Sequence, residues 1–312
     1  MALALITCAA PGFAASRLAV RPVLRATASS GAALLAGPAA PGRAAAVRAS
    51  AAAASLVVPG LHLADASAVG EALTAWPRDA SMTIFLACAS VVWIKGCNYL
   101  ATSGAISAAL SRKLVHMGSG PLFVLFWPLF STTASAQFAA IAVPCISIIR
   151  LLLAGRGADD ADSSDLVSAI SRSGDQKEAL GGPMLYTVVL LLCTLFGWRS
   201  IVSVVAVCQM GIGDGMADIV GRRYGSVKWP MPFAAKKSLI GSAAFAFFGF
   251  VASIGMVSFY HALGFSKLSA AAALAPVAII SLACAFVELL PIGDDNLTVP
   301  AAAAVMGTLL LR

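Results

Sequence analysis

Asp214 and Asp218 stand four residues apart in the stretch Gly211 to Gly241, which also carries Arg222, Arg223, Lys228, Lys236 and Lys237. These seven charges fall in a chain in which charged residues make up only 11%. On a helix, a spacing of four puts both carboxylates on one face, where they can hold a divalent cation through oxygen. Glycines at 211, 213, 215, 221 and 225 let backbone approach a bulky anion, and the Arg and Lys side chains suit phosphate oxygens. The set reads as a nucleotide phosphate site, with Asp214 and Asp218 for the metal and Gly213, Gly215, Arg222, Arg223 and Lys228 around the anion. A basic loop obeying the positive-inside tendency accounts for the bases but leaves the two acids without a reason.

Other polar residues sit where apolar runs begin and end. Lys237 and Ser238, followed by Gly241, place an ammonium and a hydroxyl at the start of the next apolar run, whose helix dipole favours an anion. Asp294, Asp295 and Asn296 lie between two apolar runs, where carboxylates are costly unless solvated or paired. One of the two aspartates is a candidate general base for an alcohol, or both join the metal site; a solvated turn is the plain alternative. Glu288 closes an apolar run and is open to the same roles. Arg112, Lys113 and His116 are placed to contact phosphate or a substrate hydroxyl, or to anchor an interface.

The elements that must position these groups are membrane helices. The chain has 312 residues, is 60% hydrophobic and has a mean hydropathy of +0.90, which suits a polytopic membrane protein. Its formal charge of +7 does not point to nucleic acid, because five arginines lie in the first 49 residues, ahead of the first acid at Asp65. That Ala-, Ser- and Arg-rich start reads as an organellar transit peptide over 1–49, followed by a linker over 50–80. Seven cysteines without a close pair read as packing residues. From residue 81 onward the expectation is one all-α domain, a transmembrane bundle of seven to eight spans. Counted as eight, the spans put the stretches 101–116, 154–182, 211–238 and 288–298 on one face by parity. The Lys and Arg bias agrees, and Lys95 and Arg150 are left inside spans.

The runs GDGMADIVGRRYGSVKWP and KKSLIGS resemble the signature of the phytol kinase and farnesol kinase family, a plastid branch of the CTP-dependent polyprenol kinases related to dolichol kinase. RKLVHMGSG at Arg112, SRSGDQKEALGGPMLY at Ser171 and VELLPIGDDNLTVP at Val287 resemble its other motifs, in the expected order. Through this resemblance Arg172, Asp175, Glu178, Glu288 and Asn296 enter as motif residues. Where the family usually carries Asn before the Lys-Ser pair, this chain has Ala234 and Lys236. The resemblance implies transfer of the terminal phosphate of CTP, with magnesium, to an isoprenoid alcohol in a chloroplast membrane, envelope or thylakoid. Phytol is the first expectation, as a salvage step feeding tocopherol synthesis, and farnesol or geranylgeraniol the alternative. The partners are then the bilayer, the alcohol and the nucleoside triphosphate, and the sequence designates no protein partner. A CDP-alcohol phosphotransferase needs Asp-Gly-x-x-Ala-Arg and further spaced aspartates, but Asp218 follows Ala217 and no other acid occurs before Lys237. A transporter predicts ionisable groups inside several spans, and only Lys95 and Arg150 answer to that.

Overall fold

In lipid every backbone N–H and C=O must find a partner within the protein, so a chain this apolar folds as helices. A computed structural model describes residues 66–158 and 160–311, where regular structure is helical, with one isolated antiparallel bridge between Lys228 and Ser238. The expected transit peptide lies outside the described residues. Helix α1, Ala66–Thr102, begins within the stretch read as a linker. It is followed by α2, Ala108–Leu125, α3, Ala136–Gly155, the short α4, Ala161–Ile170, and α5, Gly182–Phe196. Helix α6, Ile201–Cys208, runs through a π-helical turn, Gln209–Gly213, into α7, Asp214–Tyr224. The set ends with α8, Leu239–Ala262, α9, Ala270–Val287, and α10, Asp295–Leu310.

Polar side chains mark where these helices start. Ser107, Asp160, Ser200, Ser238, Ser269 and Asp294 each accept a hydrogen bond from a first-turn N–H, satisfying donors that have no partner within the helix. Among the described residues, six segments are long and apolar enough to cross a membrane, fewer than the seven or eight expected. The shortfall has a physical cause: α2 contains Arg112 and Lys113, and α10 spans only 16 residues and opens on Asp295. Six candidate spans do not support the eight-span parity count. The Trp198 region is a connection between two candidate spans, Gln176–Phe196 and Ile201–Tyr224.

The α6–α7 segment is the axis of the bundle, 61% buried over its apolar window against 11% for α1 at the periphery. Val204, Val205, Val207, Cys208 and Met210 expose no surface. Gln209, equally buried, donates through Nε2 to Ser253 of α8 at 3.0 Å and Ser281 of α9 at 2.8 Å. At one end of the bundle Arg199, in the left-handed region at φ 58°, donates to the carbonyls of Trp127, Phe130 and Ser131, each at 2.9 Å. Asp79 accepts from the Ser131 N–H and hydroxyl, both at 2.7 Å. These bonds tie the ends of α2 and α5 to α1.

Candidate active site

The motif stretches meet at the other end, around one cavity of about 1110 Å³. Helix α2 shows how it is built, because its lining residues Arg112, His116, Ser119, Phe123 and Phe126 recur every three or four positions and so share one face. Along that face the chemistry changes from charged to aromatic over roughly 20 Å at 1.5 Å per residue. Helix α5 repeats the gradient from Gly182 through Tyr186 to Leu190. The cavity is therefore amphiphilic, with a charged end and an apolar end.

At the charged end the π turn precedes Asp214, an arrangement often found at functional sites. Asp214 Oδ2 lies 3.2 Å from Lys113 Nζ and 3.3 Å from His116 Nε2. His116 Nε2 is also 3.0 Å from the Met210 carbonyl, and its ring packs on Tyr186, 4.7 Å between centroids. The buried Tyr186 hydroxyl donates to the His116 carbonyl and accepts from the Gly120 N–H, both at 2.8 Å. A Cβ on Gly120 would come within 2.3 Å of that hydroxyl, so glycine permits the contact. Tyr186 escaped the sequence reading as a site residue, since only packing reveals that it holds α2 against α5.

Asp214 and Asp218 do share a helix face, as their spacing predicts, and both lie near Lys113. Asp218 is bound to Arg222 at 2.7 Å, one turn on, and lies 3.6 Å from Lys113. The acids that converge are Asp214, Glu288 and Asp295, each offering a carboxylate oxygen within 4.8 Å of the others. Hard oxygen donors of this kind suit magnesium, so the donor set fits that ion with Glu288 and Asp295 in the place expected for Asp218. Lys237 Nζ is bonded to Glu288 and lies 3.1 Å from Asp295. Burial raises the pKa of the Glu288 and Asp295 carboxyls, against the pull of the Lys237 charge. Burial also opposes the Lys237 ammonium, yet its bond to Glu288 and the two negative charges outweigh this and raise its pKa.

Asp294 and Asn296 line the cavity, but Asp294 Oδ1 accepts from both the N–H and the side chain of Asn296 and caps α10. Arg112, Arg222, Lys228 and Lys236 line the charged end, whereas Arg223 does not and stacks on Tyr224, 5.6 Å from its ring. Arg172 and Glu178 also line the cavity, and Glu178 accepts from the Ser171 and Ser173 hydroxyls and the Arg172 N–H. Asp175 caps the 3-10 turn Gln176–Leu180. Ser238 is buried, its Oγ 3.2 Å from the Gly241 N–H that it caps. Gly213 and Gly215 do not line the cavity: a Cβ there would meet the Phe245 ring at 2.9 Å and Met117 at 2.1 Å. They serve close helix packing, a use of glycine that sequence cannot tell from anion binding.

No family model matches the chain, and no solved structure does. Curated proteins do match. A wheat (Triticum aestivum) protein named "Probable phytol kinase, chloroplastic" is 39% identical over 251 residues, 78% of this chain and 82% of its own. "Phytol kinase 1, chloroplastic" of Arabidopsis thaliana is 39% identical over 207 residues, 65% of this chain and 67% of its own. "Farnesol kinase, chloroplastic" of the same plant is 38% identical over 211 residues, 66% and 67%. The matching length reaches well beyond the motifs into the helices that carry them, and on that extent of identity the chain belongs to the chloroplastic phytol kinase family.

Proposed function

We propose that this chain is a chloroplast membrane kinase that moves the terminal phosphate of CTP to the hydroxyl of phytol, giving phytyl phosphate and CDP. The observation that carries this reading is one continuous cavity with charged residues at one end and Phe123, Phe126 and Leu190 at the other. A nucleotide needs the first end and an isoprenoid tail the second. Farnesol is the second reading, favoured by the near-equal identity to the phytol and farnesol kinase relatives, 39% and 38%.

Phosphoryl transfer demands little covalent chemistry from a protein beyond placing the acceptor and neutralising charge. Asp214 and Glu288 would hold magnesium, which neutralises phosphate charge when bound, leaving Asp295 beside them. Arg112, Arg222 and Lys228 bind phosphate oxygens, and Lys236 adds positive potential at the same end. Asp295, at 32% the most exposed of the three acids against 17% for Asp214 and 5% for Glu288, takes the proton of the alcohol. The burial that raises its pKa makes it a better base than an ordinary aspartate. Asp294 is less suited, being engaged in the cap of α10.

The test is transfer of label from γ-phosphate-labelled CTP to phytol and to farnesol in membranes carrying the protein. Phytyl phosphate is the expected product, and Glu288→Gln should lower its rate by about a hundredfold, the scale of losing a placed charge at a transition state. Unchanged turnover in that variant would remove the carboxylate cluster from the mechanism, and the absence of any phosphorylated alcohol would remove the activity.

A further inference from the structure

Beside the main cavity lies a second one of about 360 Å³, between α1 and α3. The two share Ser90, Val143, Ser147 and Arg150, so the smaller space continues the larger one. Its other walls include Cys88, Val92 and Ile146, which are exposed on the outer surface of a bundle whose neighbour is lipid. We propose that the isoprenoid tail enters sideways from the bilayer through this slot, level with Ser90 and Ser147. This rests on the kinase reading above and adds the route by which its lipid substrate arrives.

The slot has fixed ends. Toward the apolar end, the Thr83 hydroxyl of α1 donates to the Ala139 carbonyl of α3 at 2.8 Å and joins the two helices. Toward the charged end, α4 braces both. Its Asp165 pairs with Lys95 of α1 at 3.1 Å, and its Asp162 takes two hydrogen bonds from Arg150 of α3, both at 2.9 Å. Between these ties lies the second cavity. Ser90 and Ser147 turn their hydroxyls onto carbonyls of their own helices, Ala87 at 2.8 Å and Val143 at 3.1 Å. Pro144 has no N–H to return to the Ala140 carbonyl, which weakens the α3 ladder at the same level. Lys95 and Arg150, the ionisable residues that stand out within the apolar runs, thus belong to the frame of the opening.

The chemistry of the occupant follows from the walls. Alanine, valine and isoleucine facing lipid cannot pay the desolvation of a nucleotide, so the slot admits hydrocarbon and the nucleotide must reach the charged end from water. A tail entering at Ser90 and Ser147 lies between the carboxylate cluster and the Phe123 and Phe126 end, so its hydroxyl can turn to the former while its chain settles in the latter.

Two measurements test the route in the full chain reconstituted in bilayers. The first uses a farnesyl-length alcohol carrying a diazirine on its tail. On illumination it should label peptides containing residues 87–92 and 143–147, and excess phytol should suppress that labelling. Labelling elsewhere, or labelling that phytol does not suppress, as for an annular lipid, overturns the slot, and this readout is independent of turnover. The second places Cys at position 147 by Ser147→Cys in a Cys88→Ser background, then attaches a benzyl or a methyl methanethiosulfonate to the folded protein. The benzyl adduct should slow phytol phosphorylation at low substrate at least tenfold, leave a five-carbon prenol within twofold, and be reversed by reductant. Unchanged phytol turnover, or equal loss with both alcohols, refutes tail entry here. Failure of the kinase reading looks different: no alcohol is phosphorylated by the unlabelled protein, whatever the photolabel finds.

Discussion

Lys236 and Lys237 are neighbours with the same charge and different surroundings, which makes them a sharp test of the charged end. Lys236 is exposed, whereas Lys237 is half-buried and bonded to Glu288 and Asp295. Removing a hydrogen-bonded charge costs roughly 1.5–3 kcal/mol, and it leaves a buried carboxylate without its partner. An exposed, salt-screened charge is worth much less. Lys237→Met is expected to lower kcat/KM by at least an order of magnitude at any ionic strength, and Lys236→Met to give a mild loss that shrinks as salt rises. Equal, salt-sensitive losses in steady-state assays would reduce the pair to a diffuse positive patch. The pKa shifts add a second expectation. Because burial raises Glu288 and Asp295, both take up protons at a higher pH than ordinary carboxylates, so activity that needs them ionised fails early on acidification. The acid limb of kcat/KM against pH, which reports the free enzyme, should lie above 4.5, the value of an unperturbed glutamate. A limb below that value would show that Glu288 need not be charged.

At the scale of elements, α7 and α8 cross where only glycine fits. A Cβ on Gly241 would lie 2.9 Å from Ser238 Oγ, 3.0 Å from the Ala217 carbonyl and 3.3 Å from Gly221 Cα. Two of those neighbours are backbone atoms, which yield less readily than the end of a flexible side chain. Overpacking of this kind costs about 1–3 kcal/mol, so Gly241→Ala should lower the melting temperature in detergent. Gly255, also on α8, has nothing within 4 Å of its Cβ position. Gly255→Ala should leave the melting temperature unchanged or raise it, since alanine favours helix by about 1 kcal/mol over glycine. Similar shifts in the two variants would mean that propensity, and not the crossing, governs this helix. Since α7 carries Asp214 and α8 follows directly from Lys237, their close approach also sets how the two halves of the charged end meet.

For the molecule as a whole, the carboxylates cluster at one end of a bundle whose other end is closed by Arg199 and Asp79. One cavity receives residues from all four motif stretches, which requires them to open toward the same side even though the span count behind the parity argument does not hold. Tags placed at Gly157 and Ser226 should therefore share protease accessibility in sealed vesicles. Opposite accessibility would place the polar connections on different faces and separate the groups that line the cavity.

The sequence by itself determined the class of structure and the kind of chemistry. A run of apolar residues must become a helix in lipid, and charges that interrupt such runs must sit at ends or at sites, so the all-helical bundle and the candidate polar residues were legible from composition and order. Periodicity likewise placed Asp214 and Asp218 on one face. Which acids meet was decided only in three dimensions. Glu288 and Asp295 lie more than 70 residues from Asp214, and only the packing of α9 and α10 beside the α6–α7 axis brings their oxygens together. Asp218 was drawn instead to Arg222, a local partner four residues on. Glycine carried the same ambiguity: Gly213 and Gly215 suit an approaching phosphate or an approaching helix, and the positions of Phe245 and Met117 show that the neighbours are side chains. The slot between α1 and α3 could not be read in the chain at all, because an opening is set by how two helices are held against each other, and that depends on which partners Thr83, Lys95 and Arg150 find across the fold.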